Sequence, residues 1–118
     1  MKKFIGSFAI LILLASCSVF SSLTSNTIIK PNDSFLLGNN QHGKFQITLK
    51  NVSNHDIQIY CAPIAGGTHS RQLVKVNQVV FTKVDSNTAL VIENKSTEQA
   101  SVNLKVKGDL GLAMTYKN

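Results

Sequence analysis

The chain has 118 residues, of which 43% are hydrophobic and 15% are charged. Twelve lysines and arginines stand against six aspartates and glutamates, which gives a formal net charge of +6. With two cysteines, two tyrosines and no tryptophan, the composition excludes a disulfide-rich scaffold, and it argues against nucleic-acid surfaces, which need clustered bases interleaved with aromatic side chains.

The first sixteen residues have the three-part order of an export signal. Lys2 and Lys3 supply a cationic start, residues 4–14 are mostly apolar, and Ala15-Ser16 gives a small-residue exit. An eleven-residue helix would be only ~17 Å long, whereas the bilayer core is ~30 Å thick. We therefore expect residues 1–16 to form a signal helix that is removed, not a spanning helix.

A lipidation motif follows this signal directly. Leu14-Ala15-Ser16-Cys17 resembles the lipobox of bacterial lipoproteins. The resemblance implies a diacylglyceryl group on the sulfur of Cys17, cleavage before Cys17, and acylation of the new amino group by a chain such as palmitate. Two or three acyl chains would make membrane attachment effectively stable. The alternatives are a secreted protein with an accidental cysteine and an uncleaved signal anchor.

The position after Cys17 bears on which membrane holds the anchor. In the sorting rule of enterobacterial lipoproteins, Asp at this position favours the inner membrane, and here the residue is Ser18. The resemblance thus implies the outer membrane if the cell has one. Residues 18–25 lack the acidic stretch of surface-exported lipoproteins, so we expect the domain to face the periplasm.

The mature chain of 102 residues is long enough for one domain with its own core. We predict that residues 17–26 are the lipidated cysteine and a Ser-rich tether, and that residues 27–118 are the domain. Nine extended residues span at most ~30 Å. The mature net charge is +4, and the lysines are predicted to form a solvated face. Because lipid occupies Cys17 in this interpretation, Cys61 has no disulfide partner and is predicted to be buried as a small hydrophobe.

A period of two dominates the domain and predicts β-strands. It is strict in residues 45–50, 57–61 and 100–107, and residues 110–116 follow in step. Residues 73–76, 79–84 and 88–92 are β-branched and less regular, so we predict more central strands. Breaks rich in Asn, Asp and Gly separate the runs.

Two of the breaks carry more specific predictions. Gly108-Asp109 lies between alternating runs and predicts a tight hairpin. Asn51-Val52-Ser53 and Asn94-Lys95-Ser96 form a weak echo, 43 residues apart, which predicts two similar hairpins. Seven to nine short strands predict an all-β fold, an antiparallel β-sandwich of immunoglobulin-like or jelly-roll-like type, over a closed barrel.

The sequence contains no recognisable catalytic or metal-binding motif. His42, His55, His69, Cys61 and Met114 resemble a blue-copper ligand set in type, but their spacing does not fit a single ligand loop. The acids lie in or beside turns or end a strand, and neither G-x-S-x-G nor H-E-x-x-H occurs. We therefore predict no catalytic residue, no metal site, no cofactor and no enzyme activity.

The longest irregular segment, residues 62–71, is the predicted contact loop, with Gly66, Gly67, His69 and Arg71 as its candidate residues. The leading hypothesis is a membrane-anchored, non-enzymatic lipoprotein with a structural or protein-interaction role in the cell envelope. The alternative is a binding module for a glycan, a cell-wall polymer or a small ligand. The expected partners are the membrane, through lipid on Cys17, and another envelope protein or a cell-wall polymer, with no nucleic acid.

Overall fold

The computed structural model describes residues 22–118. The predicted signal helix and the lipobox with Cys17 lie outside the described residues. Within them, the chain forms nine β-strands and no helix. The strands are β1 (Leu23–Ile29), β2 (Asp33–Leu37), β3 (Phe45–Asn51), β4 (Ile57–Pro63), β5 (His69–Val74), β6 (Val79–Val84), β7 (Thr88–Asn94), β8 (Ala100–Gly108) and β9 (Met114–Tyr116).

The strands make two antiparallel sheets packed face to face. Sheet A has the order β1-β8-β3-β6, and sheet B has the order β5-β4-β7-β2-β9. Alternate residues of each strand point between the sheets, and this dry layer is the core. Its largest fully buried side chains include Phe45, Ile47, Leu49, Ile59, Leu90 and Leu104. The prediction of an all-β antiparallel sandwich is confirmed.

The connectivity decides between the two predicted sandwich types. Within sheets A and B, β4 and β5 are the only consecutive strands that pair with each other, and every other connection crosses between the sheets. This arrangement is that of a jelly roll, with β9 added beside β2. In an immunoglobulin-like sandwich, more of the consecutive strands would pair as hairpins.

The first and second halves of the jelly roll are topologically equivalent. Strands β1 to β4 correspond in order to strands β5 to β8. If each strand of sheet A, β1-β8-β3-β6, is replaced by its counterpart in the other half, the result is β5-β4-β7-β2, which is the order of the first four strands of sheet B. The turns between the first two strands of each half also match. Asn32 and Asn77 both have positive φ, and the next residue donates its backbone N–H to the carbonyl of Lys30 or Lys75.

The three predicted hairpins are wrong, because the chain changes sheet at each of these sites. Asn51 ends β3 in sheet A and the chain continues in sheet B, while Asn94 ends β7 in sheet B and the chain continues in sheet A. At Gly108-Asp109 the chain also leaves sheet A, and β9 pairs with β2. The similarity of the two Asn segments is nevertheless structural, since they are equivalent arches between the sheets.

Several strand predictions also need correction. Strands β5 and β6 are edge strands, not central ones, and Val79 is 55% exposed. Of residues 110–116, only the last few form a strand, and Met114, predicted on the dry face, is 42% exposed. Strand β1 begins at Leu23, so residues 23–26, predicted as tether, lie in sheet A.

The start of β1 defines one end of the sandwich, which we call the tether end. The loops 38–44, 64–68, 85–87 and 109–113 lie at this same end, as the strand registers require. Backbone hydrogen bonds hold three of them together, from Asn87 N–H to the His42 carbonyl and from Ile64 N–H to the Asn87 carbonyl. Four of the eight loops that connect the nine strands therefore lie at the same end of the domain as Leu23, the first residue of β1.

Candidate functional site

Arg71 is the predicted contact residue with the most organised surroundings. It lies on edge strand β5 at a β-bulge, where Cys61 pairs with His69 but Ile59 pairs with Gln72. Ser70, inside the bulge, has a φ of 61°. A bulge re-aims the following side chain, and here the Arg71 side chain lies on the outer face of sheet B.

Three neighbours fix the guanidinium of Arg71. Its central carbon lies 4.3 Å from the ring centroid of Tyr60, a cation–π arrangement. One of its nitrogens donates to Gln58 Oε1 at 2.8 Å and to Glu93 Oε1 at 3.0 Å. Lys95 approaches the same carboxylate at 3.7 Å. We call Gln58, Tyr60, Arg71 and Glu93 the Arg71 cluster.

The sequence prediction named Arg71 but missed its three partners. Gln58 and Tyr60 alternate with buried Ile57, Ile59 and Cys61, so their shared outward face was readable. What the sequence did not reveal is that β4 lies between β5 and β7, which brings Glu93 beside Arg71.

The remaining loop residues do not join this cluster. Gly66 and Gly67 are exposed at the tether end, both with positive φ, and Gly66 N–H closes a turn onto the Pro63 carbonyl at 3.0 Å. His69 contacts Ser70 Oγ through Nδ1 at 2.8 Å. Residues 64–68 thus form a tight exposed turn, while Arg71 belongs to the sheet surface.

The side chains considered as copper ligands are dispersed. His42 is buried at the tether end, with its ring nitrogens facing the carbonyls of Gly43 and Thr88. His55 follows β3 at the opposite end, where its nitrogens face the carbonyls of Asp56 and Gln99. Among residues 22–118, no three His, Cys, Asp or Glu side chains are grouped in a way that could hold a metal ion.

Cys61 is buried among core residues of sheet B, as its alternation with polar residues predicted. Burial in this apolar layer raises the pKa of its thiol, and the nearby charge of Asp85 raises it further. The prediction of a buried thiol is confirmed, and its environment disfavours the reactive thiolate.

A second surface feature lies at the tether end of sheet A. An open groove of about 430 Å³ is lined by Lys44, Lys83 and Lys107, with Asp85 as its acidic residue. Gln46 pairs with Lys83 on one side and with Lys107 on the other, so the two lysines flank it on one face. We call this feature the lysine groove. Sequence reasoning placed these lysines on a solvated face but did not predict that they converge.

The two sheets differ sharply in charge. The strands of sheet A contain four lysines and no acidic residue, whereas those of sheet B contain Arg71, Asp33 and Glu93. The four lysines of sheet A alternate with buried positions and therefore share its outer face. They are Lys50, Lys83, Lys105 and Lys107.

Comparisons with known proteins show the fold of this chain. No protein-family model and no curated protein sequence matches it. A crystal structure of PirA superposes with a TM-score of 0.55 at 12% identity, covering 71% of this chain and 93% of that chain. Procruciferin, an 11S globulin from Brassica napus, gives 0.53 at 12% identity, covering 80% of this chain and 22% of that one. At this identity the likeness shows a shared β-sandwich architecture.

The described residues also bear on membrane spanning. Over residues 22–118, the structure has no helix that is long and apolar enough to cross a bilayer.

Proposed function

We propose that this chain is a bacterial lipoprotein, anchored through lipid on Cys17, whose jelly roll is a non-enzymatic protein-interaction module of the cell envelope. Its location is the outer membrane, facing the periplasm, in a cell with two membranes. The signal-like residues 1–16 and the lipobox Leu14-Ala15-Ser16-Cys17 support the anchor.

The start of β1 supports a short attachment. Leu23 is the sixth residue after Cys17. Six residues span at most about 20 Å when extended. A domain held this closely acts at the membrane surface, and its partners are components of the same envelope layer.

The observation that carries the interaction role is the Arg71 cluster. Tyr and Arg are enriched among the residues that dominate binding energy at protein interfaces. Here the Arg71 side chain is 48% exposed, yet the Tyr60 ring, Gln58 and Glu93 hold it in one orientation. Because these contacts already restrict its rotamers, the Arg71 side chain would lose less entropy when a partner binds it.

The anchor is tested by replacing Cys17. Cells expressing the chain are fed labelled palmitate, and the membrane and soluble fractions are compared between the native sequence and Cys17→Ser. We expect label and membrane retention to disappear in Cys17→Ser and to persist in Cys61→Ser, the matched control. Retention of label in Cys17→Ser would contradict the lipoprotein proposal.

The interaction role is tested by crosslinking in the living cell. A photoactivatable residue replaces Leu73, which is exposed beside the Arg71 cluster, or Asn103 on sheet A as the control position. We expect a discrete crosslinked protein from position 73 that is lost when Arg71→Ala is added and kept when Lys95→Ala is added. Absence of an Arg71-dependent product, together with retention of the protein on purified peptidoglycan or lipopolysaccharide, would instead favour the glycan or cell-wall alternative.

A further inference from the structure

The charged side chains on the strands of sheet A all have one sign, and they share its outer face. Lys50, Lys83, Lys105 and Lys107 point outward from three of its four strands, and none of the four strands contains Asp or Glu. Between the lysines lie neutral polar side chains such as Thr48 and Asn103. The nearest acidic residues in sequence, Asp85 and Asp109, follow the ends of β6 and β8.

Apolar side chains are exposed at both margins of this cationic face. Ile28 projects from edge strand β1 and is 48% exposed, while Val79 and Phe81 project from edge strand β6 and are 55% and 57% exposed. Their positions alternate with the buried residues of each strand, so they share the outer face with the lysines. Water-exposed apolar groups beside lysines are the composition of surfaces that bind at the boundary between headgroups and acyl chains.

The tether belongs to the same sheet. Strand β1 is an edge of sheet A, and its first residue, Leu23, pairs with Val106, which lies between Lys105 and Lys107 in sequence. The lysine groove is at this same end. A chain anchored at Cys17 therefore holds Leu23, at the tether end of sheet A, within about 20 Å of the lipid.

From these three observations we propose that the outer face of sheet A docks on anionic headgroups of the membrane that holds the anchor. The proposal rests on the proposed function for the origin of the tether. A membrane fits this face better than a cell-wall polymer, because a polymer offers no apolar layer for Ile28, Val79 and Phe81. In this orientation sheet B, with the Arg71 cluster, faces away from the bilayer and is open to a partner.

The test reconstitutes the full lipid-anchored protein into vesicles of phosphatidylcholine alone or mixed with phosphatidylglycerol. A fluorophore is attached at Asn103→Cys on sheet A or at Thr115→Cys on sheet B, and spin-labelled headgroups act as quenchers. Buried Cys61 does not compete for the label. We expect quenching at position 103 only with phosphatidylglycerol, and its loss in 1 M salt, where the screening length falls to ~3 Å.

The lysines provide the decisive comparison. Each lysine near an anionic surface contributes about fivefold to binding, so Lys105→Gln with Lys107→Gln should lower the equilibrium constant for docking about 25-fold. The control, Lys30→Gln with Lys117→Gln, removes the same charge outside the strands of sheet A and should change little. Equal quenching in both vesicle types, equal effects of the two pairs, or loss of quenching at position 103 on addition of soluble peptidoglycan fragments would overturn the proposal.

Failure of the anchor is recognised separately by mass spectrometry of the same protein. If Cys17 carries no lipid, the proposed function fails, and the chain is then added to vesicles from solution. Sedimentation with phosphatidylglycerol vesicles alone, sensitive to the Lys105 and Lys107 changes, would still support docking by sheet A. No sedimentation would overturn it.

Discussion

Asn51 and Asn94 perform the same structural task in the two halves of the jelly roll. The side-chain amide of each donates to the carbonyl four residues ahead, His55 or Glu98, at 2.9 Å and 2.8 Å. The side-chain oxygen of each accepts the backbone N–H two residues ahead. Each amide also donates to the end of a strand in the other half, β5 for Asn51 and β1 for Asn94.

These contacts make both asparagines sensitive to substitution. Alanine at either position would leave buried carbonyls without a hydrogen-bond donor. We expect the free energy of unfolding, measured by urea denaturation, to fall by about 2–3 kcal/mol. Aspartate should cost more, because a carboxylate cannot donate and would face the same carbonyls. Asn54→Asp, in the exposed part of the Asn51 arch, is the control, and equal stability of Asn54→Asp and Asn51→Asp would contradict this role.

Gly108 is predicted to tolerate no side chain. Its φ is +103°, and an added Cβ would lie 2.8 Å from the Lys44 carbonyl oxygen and 3.0 Å from Phe45 Cα. We expect Gly108→Ala to cost about 2–4 kcal/mol, since backbone strain and a clash combine. Gly66→Ala, at φ +120° with no atom near the added Cβ, should cost about 1–2 kcal/mol from strain alone. The two melting temperatures measured side by side check the difference.

The raised pKa of Cys61 predicts a loss of stability in alkali. The folded state favours the neutral thiol, so its contribution is complete below the pKa of the unfolded thiol, about 8.5, and is lost as pH rises through the folded pKa. Cys61→Ala should remove this part of the alkaline decline. The native thiol should also react with maleimide only as fast as the protein opens, and immediate reaction in native buffer would show that it is accessible.

Asp109 predicts the opposite dependence in acid. Backbone N–H groups of Gly43 and Gly111 donate to its carboxylate and hold its pKa below the usual value, with a smaller contribution from His42 in the same direction. Its contribution is present above the unfolded pKa, about 3.9, and is lost as pH falls through the lower folded pKa. Urea midpoints measured from pH 5 to pH 2 should therefore fall more steeply for the native chain than for Asp109→Asn, whereas parallel curves would rule the effect out.

The faces of most strands were predictable from sequence, but their order was not. Alternation of Phe45, Ile47 and Leu49 with polar residues predicted one buried face, and the structure confirms it. Nothing local indicates that Leu23 pairs with Val106. Such pairing depends on the whole topology. The local sequence therefore did not show that the chain changes sheet at Asn51 and Asn94, and these arches were predicted to be hairpins.

Residues 23–26 were wrongly predicted to be tether, and residues 79–84 were wrongly predicted to be a central strand. Both errors arise because the polarity of a side chain does not always match the face of the sheet on which it lies. In β1 the inward positions include Ser25 and Thr27, whose hydroxyls bond to each other at 2.9 Å, so no apolar alternation marks the strand. In β6 the outward positions Val79 and Phe81 are apolar, so the sequence of this edge strand resembles that of a strand buried on both sides. The lysine groove escaped prediction because it needs three strands to be placed side by side.

The uneven charge of the two sheets also changes how the net charge of the domain should be interpreted. The outer faces of the two sheets point to opposite sides of the domain, so their charges act on different regions of the solvent, where screening occurs over ~8 Å in physiological salt. A surface approaching sheet A therefore meets the four lysines almost without compensation from Asp33 and Glu93 on the strands of sheet B. The domain therefore has two electrostatically different sides. Only in dilute salt would a distant charge interact with the net charge of the whole domain.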